Sequence, residues 1–407
     1  MNRIVVTGMG IRSPLGSTAD AMFDAILAGR SGVQRFDEWA KIDELGSLVG
    51  SVVDDFNERT IPRKYRRSMG RVAMYAVAAA VDAVAQSGLD EAMIRGGRTG
   101  ACVGSTLGSG AADEEFWRHI IETGSARGLK STQFLKVMSH TCATNVAMFL
   151  GISGEAIATN AACASSNQAI GVAMDRIRLG RADVMLAGGA DELHVMATLV
   201  FDVMRGASHG FNDSPTKTPR PFDKDRDGIV VGEGSGILVL EERSRALTRG
   251  APILAEVLGY GGISDAVNMA SPAPGGMEAA IRLALADAGV EPDDVDYVSA
   301  HATGTPIGDA AEAEALHRVF GDRTPVSSVK GHLGHTLAAC GGLEATVFIE
   351  AMRRGIVPPT LNLDEPDVAP LWLPTKPLVR TVNCALSTNF AFGGVNTCVV
   401  LGAPAWR

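Results

Sequence analysis

Residues 155–180, "EAIATNAACASSNQAIGVAMDRIRLG", read as a strand, a tight turn and a helix in succession. Ile170, Ala173, Met174 and Ile177 fall on one helical face, and Gly180 stops the run. Cys163 stands at or just before the helix N-terminus, between Ala162 and the small residues Ala164 and Ser165. The ordinary reading of such a residue is a buried structural thiol. The functional reading is a nucleophile, because the helix dipole and free N–H groups favour a thiolate and lower its pKa. The turn resembles a nucleophile elbow in geometry, although it lacks the G-x-S-x-G pattern.

The same alternation extends in both directions. Strand-like runs are "RIVVTGMG", "TGACVGS", "GEAIATNA", "DVMLAGGAD", "GSGILVLEE", "VDYVSAH", "TPVSSVK" and "NTCVVLG". Helical patterns cover residues 72–86, 167–179, 278–288, 309–320 and 336–353. Such alternation predicts an α/β protein of parallel sheets with helices packed on them. An internal echo joins "GIVVGEGSGILVLEE" (228–242) to "NFAFGGVNTCVVLG" (389–402), each a glycine-rich turn before an apolar strand. It predicts a duplicated unit, residues 1–250 and 251–407, the break lying near 245–255. No linker separates the halves, so one shared core is expected.

Composition narrows the function. The 407 residues are 46% apolar, enough to bury a large core, and the net charge of −9 disfavours nucleic acid and anionic membranes as partners. Six scattered cysteines show neither metal-ligand nor disulfide spacing, which fits a reducing cytoplasm. The start "MNRIVVTGMG" enters a strand directly, without a signal peptide, and no apolar run is long enough to span a membrane.

Two further strand–helix junctions carry reactive groups, and ligands gather at such junctions. His301 ends a strand and is followed by Thr303 and Thr305 before a helix near Asp309. Lys330 ends another, followed by His332 and His335. His332 and His335 lack a third ligand at metal spacing, so acid–base or oxyanion-stabilising work is the better reading, with His332 exposed. In "STNFAFGGVN", Gly393 and Gly394 free the backbone so that N–H groups near Phe392 can approach a carbonyl. A thiol, two histidines, a lysine and a donor-rich turn suit acyl transfer.

At this point the chain resembles the β-ketoacyl-acyl-carrier-protein synthases, decarboxylating condensing enzymes of the thiolase superfamily. The resemblance spans the whole chain through "VVTGMGIRSPLG", "NAACASSNQAIG", "AGGADEL", "RPFDKDRDGIVVGEGSGILVLEE", "HATGTPIGD", "VKGHLGHTLAACGGLE" and "FAFGGVN". It implies a thiolase-like fold: two duplicated halves in a five-layered α–β–α–β–α subunit, usually dimeric through a continuous sheet. It implies Cys163 as acylated nucleophile and His301 and His335 as the pair serving malonyl decarboxylation. Lys330 supports them with Glu312 as its partner, and the N–H groups of Cys163 and Phe392 form the oxyanion hole. Thr303 and Thr305 contact pantetheine, Phe390 and Phe392 gate the acyl pocket, and Leu107 lines it. Acidic carrier proteins would dock on Arg63, Lys64, Arg66 and Arg67, with Arg127 and Lys130. No cofactor or metal is implied.

The expected reaction is elongation of an acyl group by malonyl carrier protein in fatty-acid synthesis. A specialised polyketide or polyene pathway, with a chain-length-factor-like partner, is the alternative. The intact nucleophile and histidines disfavour a chain-length factor itself, and the missing second catalytic cysteine disfavours a thiolase. Ala302 and Gly304 depart from the usual "HGTST", Ala391 from Gly, and Val395 from Thr.

Overall fold

The computed structural model describes residues 2–269 and 271–406. Ten strands form one mixed sheet: β1 (Ile4–Arg12), β2 (Thr99–Gly104), β3 (Ala156–Ile157), β4 (Val184–Asp191), β5 (Gly234–Glu242), β6 (Ala255–Ser264), β7 (Tyr297–Ser299), β8 (Val326–Ser327), β9 (Cys384–Ala391) and β10 (Val395–Gly402). Their order is β8-β7-β9-β10-β6-β1-β5-β4-β2-β3. Outward from the β1–β6 junction, each half therefore runs first strand, fifth, fourth, second, third. The pairing senses repeat as well: antiparallel first–fifth and fourth–fifth, parallel second–fourth and second–third. β1 and β6 pair antiparallel over a short register, Ile4 opposite Val257 and Val6 opposite Ala255. The expectation of parallel sheets is corrected here. The closing strands β5 and β10 run against their neighbours, which a tally of alternating elements does not reveal.

Six helices complete five layers: α1 (Arg71–Ser87), α2 (Thr141–Leu150), α3 (Ser165–Arg178), α4 (Pro274–Ala288), α5 (Pro306–Phe320) and α6 (Cys340–Arg354). An outer apolar cluster joins α1 and α2 to the first half of the sheet. Another joins α4 and α5 to the second. Between them α3 and α6 share a central cluster with strands of both halves. Every residue from Cys340 to Ala351 is buried, including Glu344 and Glu350, which are paired with Lys330 and Arg353. Close approach needs glycine: a Cβ on Gly342 would sit 2.2 Å from the carbonyl oxygen of Gly236 in β5.

The expected helices all form, with ends shifted by a few residues. α5 starts at Pro306, whose fixed φ suits the first turn. α6 starts at Cys340 rather than 336, because a 3-10 turn, Leu337–Ala339, precedes it. Two strands of the ten-stranded sheet escaped the sequence reading, as did two small two-stranded ribbons, Val33–Arg35 with Val49–Ser51 and Ile356–Val357 with Leu378–Val379. β6 ("AEVLGYGGIS") is glycine-rich, and β9 ("CALSTNFA") buries Ser387, Thr388 and Asn389, polar residues that strand patterning assigns to surfaces.

Candidate active site

Cys163 occupies the 3-10 turn Ala162–Ala164 that leads from β3 into α3. Ala162 holds φ at +46°, a left-handed value costly for a residue with a Cβ, so Cys163 sits on a sharp turn. His301 follows β7. Its backbone N–H donates to Glu312 Oε1 at 2.8 Å and to Thr388 Oγ1 at 3.0 Å. His335 is fixed by its own backbone, donating to the Val230 carbonyl at 2.7 Å and accepting from the Gly232 N–H at 2.8 Å.

These placements converge. Cys163 Sγ and one ring nitrogen from each of His301 and His335 lie within 4.8 Å of one another, and all three residues are buried. His335 Nε2 is 2.8 Å from Sγ. Burial drives both imidazoles well below their ordinary pKa, and the Lys330 charge adds to it, so both are neutral at pH 7. The thiol goes the other way. Burial pushes it up to about 12, although Lys330 favours its anion. The expected lowering is corrected: burial outweighs Lys330 and the backbone hydrogen bond that favour the anion, and the thiol lies beside a neutral His335.

Lys330 is fully buried, but its partner is not Glu312. Lys330 Nζ contacts Glu344 Oε1 at 2.6 Å, and Glu344 Oε2 accepts from Asn389 Nδ2 at 2.7 Å. Burial acts to lower the lysine pKa, yet the nearby Glu344 carboxylate leaves it raised, so it stays charged. Glu312 instead accepts from the backbone of His301 and Ala302 and from Thr388 Oγ1, and burial lifts its carboxyl to about 7. Asp309, one turn earlier, accepts from Gly304 and Phe222 N–H groups and is lifted to about 6, also by burial. Both carboxyls hold the His301–Gly304 loop from below.

A cavity of about 310 Å³ reaches Cys163, His301 and His335 from the surface. Thr303, Thr305, Phe390 and Phe392 line it. The two threonine hydroxyls are 3.1 Å apart. Phe390 is buried and T-shaped to the His301 ring, centroids 6.3 Å apart, whereas Phe392 is half-exposed and stacks on Phe201 at 5.5 Å. The positive φ values of this turn fall on Gly393 (81°) and Gly394 (68°), while Ala391 has ordinary extended backbone.

Other expectations separate from this centre. Leu107 is half-exposed and lies outside the walls of this cavity. His332 is fully buried rather than exposed, its ring nitrogens facing the carbonyls of Arg30 and Pro359. Arg63, Lys64, Arg67, Arg127 and Lys130 are exposed, whereas Arg66 is held by Glu58 at 2.7 Å. The sequence reading missed Glu344, Asn389, Phe201 and Arg205, an exposed residue on the cavity wall. The signal in "GGLEATVFIE" was an acid on a largely apolar helix, a feature that Glu344 shares with Glu350.

Family models for the beta-ketoacyl synthase N-terminal and C-terminal domains match residues 1–246 and 254–364. The chain belongs to the beta-ketoacyl synthase family. Nodulation protein E of Rhizobium meliloti is 40% identical over 97% of both chains. The 3-oxoacyl-acyl-carrier-protein synthase 2 of Vibrio cholerae is 36% identical over 98% of both. A beta-ketoacyl synthase structure from Burkholderia phymatum superposes with a TM-score of 0.96, at 43% identity over 99% of this chain and 100% of that one. The ishigamide ketosynthase/chain length factor gives 0.91, at 34% identity over 99% of each. This β-ketoacyl synthase is thus an acyltransferase-type condensing enzyme of thiolase-like fold. No helix among the described residues is long and apolar enough to cross a membrane.

Proposed function

We propose that the chain condenses an acyl group held on Cys163 with malonyl-acyl carrier protein, releasing carbon dioxide and a β-ketoacyl thioester two carbons longer. The 2.8 Å approach of His335 Nε2 to Cys163 Sγ carries this reading. The thiol proton passes to that nitrogen as sulfur attacks the incoming thioester; the carrier's carbon–sulfur bond then breaks, the departing thiolate takes that proton, and the acyl group stays on Cys163 with His335 neutral again. Malonyl thioester then enters. Neutral His301 and His335 offer N–H donors to the enolate oxygen left by decarboxylation, beside the fixed charge of Lys330. The enolate carbon attacks the acyl-cysteine carbonyl, whose oxygen accepts from the N–H groups of Cys163 and Phe392; the bond to Cys163 Sγ then breaks, and the freed thiolate takes a proton from solvent. Thr303 and Thr305 hold the pantetheine arm, and Phe390 and Phe392 gate the pocket. Division at residue 250 gives the nucleophile to one half and the histidines and lysine to the other.

The same reading takes the working form as a cytoplasmic dimer. β3 ends the sheet with residues that are not buried, and Met148 on the adjoining α2 is 66% exposed. Leu107, Trp117 and Phe134 add exposed apolar surface that a second copy, or a chain-length-factor-like subunit, would cover. Arg63, Lys64 and Arg67, with Arg127 and Lys130, are the proposed carrier-protein surface.

Mass spectrometry of Cys163 after exposure to a panel of acyl carrier-protein thioesters tests the reading. A fatty-acyl adduct chased off by malonyl carrier protein supports it, and an adduct indifferent to malonyl overturns it. Adducts restricted to polyketide-type acyl groups favour the specialised pathway. Charge reversal at Arg63 and Arg67 should raise the KM for carrier-bound substrates but not for small pantetheine mimics.

A further inference from the structure

We propose that Cys163, His301 and His335 also form a site for one soft divalent cation, zinc or cadmium, which locks the resting enzyme against acylation. Among the described residues this is the one trio of histidine, cysteine or acidic groups whose ligand atoms close to within 4.8 Å. A tetrahedral zinc ion with ordinary Zn–N and Zn–S lengths asks for ligand–ligand edges of roughly 3.4–3.7 Å. The Cys163–His335 pair at 2.8 Å must open slightly, and the widest edge must close by about an ångström. Small side-chain rotations cover both. The ligand set is one thiolate and two imidazoles, which selects soft or borderline cations and offers no oxygen to magnesium. Sequence spacing concealed the site, because the third ligand lies 138 positions or more from either histidine.

The cavity supplies both the entry path and the fourth position, open to a water molecule. When the metal–sulfur bond forms, the thiol proton leaves to solvent. The bound cation withdraws charge from sulfur and lowers its nucleophilicity, and it stands in the cavity through which a thioester must approach, so metal and acyl group exclude each other. Lys330 opposes the added charge, while Glu344 at 2.6 Å from it offsets that opposition. The Nδ1 atoms of His301 and His335 have no hydrogen-bond partner, whereas dedicated sites orient their histidines through that atom. Binding should therefore be reversible by chelators.

The test uses resting protein without substrate, so its outcome is independent of the condensation proposed above. Cadmium chloride is titrated in while the ultraviolet thiolate-to-cadmium band is read, and iodoacetamide labelling of Cys163 is followed by peptide mass spectrometry. One equivalent should bring up the band and slow labelling at least about tenfold. EDTA should reverse both, and magnesium should do nothing. His301→Ala and His335→Ala should each weaken binding about 10–100-fold. Wild-type protein with Cys163 already capped by iodoacetamide should show no band, a control that needs no variant to fold. An equal band in the capped protein, unchanged labelling, or unchanged affinity in both histidine variants would overturn the site.

Discussion

The turns Ala162–Ala164 and Leu337–Ala339 occupy the same place in the two halves of the molecule. Each is a 3-10 turn leading into a central helix, and each begins on a non-glycine residue with positive φ, 46° at Ala162 and 51° at Leu337. They also brace each other. Cys340 Sγ donates to the Cys163 carbonyl at 3.2 Å, and Ser166 Oγ donates to the Ala338 carbonyl. They differ at the middle residue, Cys163 in one and Ala338 in the other. The fold thus builds one sharp turn twice and arms it once. The second half contributes instead the groups just before its turn, Lys330 and His335, with His301 from the neighbouring strand end. The repeated fold supplies the geometry, and the proposed reaction divides its groups between the two halves.

The largest effect should come from moving the nucleophile across this comparison. Cys163→Ala should cost condensation at least about 1,000-fold. Adding Ala338→Cys should not restore it, because His335 Nε2 faces Sγ of Cys163 and Ala338 does not line the cavity. Recovery of activity in the folded double variant would show the two turns to be interchangeable.

Next, the histidines should separate. His335→Ala is expected to slow both acylation of Cys163 and malonyl decarboxylation by about 10²–10⁴. His301→Ala should slow decarboxylation by a similar factor and acylation by less than about tenfold, since it makes no hydrogen bond to Sγ. Equal losses in the two half-reactions for His301→Ala, measured in single turnovers, would erase the distinction.

Stability should distinguish the buried pair from a surface one. Lys330→Met leaves Glu344 charged and buried, at a cost of about 3–5 kcal/mol in denaturant unfolding. Removing Glu58 from Arg66 should cost less than about 1 kcal/mol. Comparable values would mean that burial does not set the worth of these pairs.

For Glu312 the sign follows from its direction of shift. Its folded pKa of about 7 lies above the unfolded value, so its contribution to stability is full below about pH 4.3 and is lost as pH rises through 7. Across that window the wild type should lose up to about 4 kcal/mol more than Glu312→Gln, at about 1.4 kcal/mol per pKa unit. Parallel stability–pH curves would remove Glu312 as a titrating group.

The smallest effect should belong to Ala391→Gly. Extended backbone at this position already suits alanine, so acylation rates should change a few-fold at most, with about 0.5–1 kcal/mol lost to strand entropy. A large change in chain-length profile would instead place the gate hinge at 391 rather than at Gly393 and Gly394.

What the sequence by itself determined is local in origin or carried by resemblance. Helix existence followed from apolar periodicity, and the strand–turn–helix around Cys163 followed from small residues flanked by two patterned runs. The set Cys163, His301, Lys330 and His335 was legible because each stands at a strand or helix end, where residues are free to serve a site. Tertiary structure alone decided which charges meet and what burial does to them. Lys330 finds Glu344 on the buried helix α6, while Glu312 turns to the His301 loop, and no spacing in the chain distinguishes the two carboxylates. The antiparallel closing strands and the polar β9 were hidden because pairing partners lie far apart in sequence. The Cys163 thiol was read the wrong way for the same reason. A helix terminus is visible in sequence, but the desolvation that raises the thiol exists only once both halves close around the sulfur.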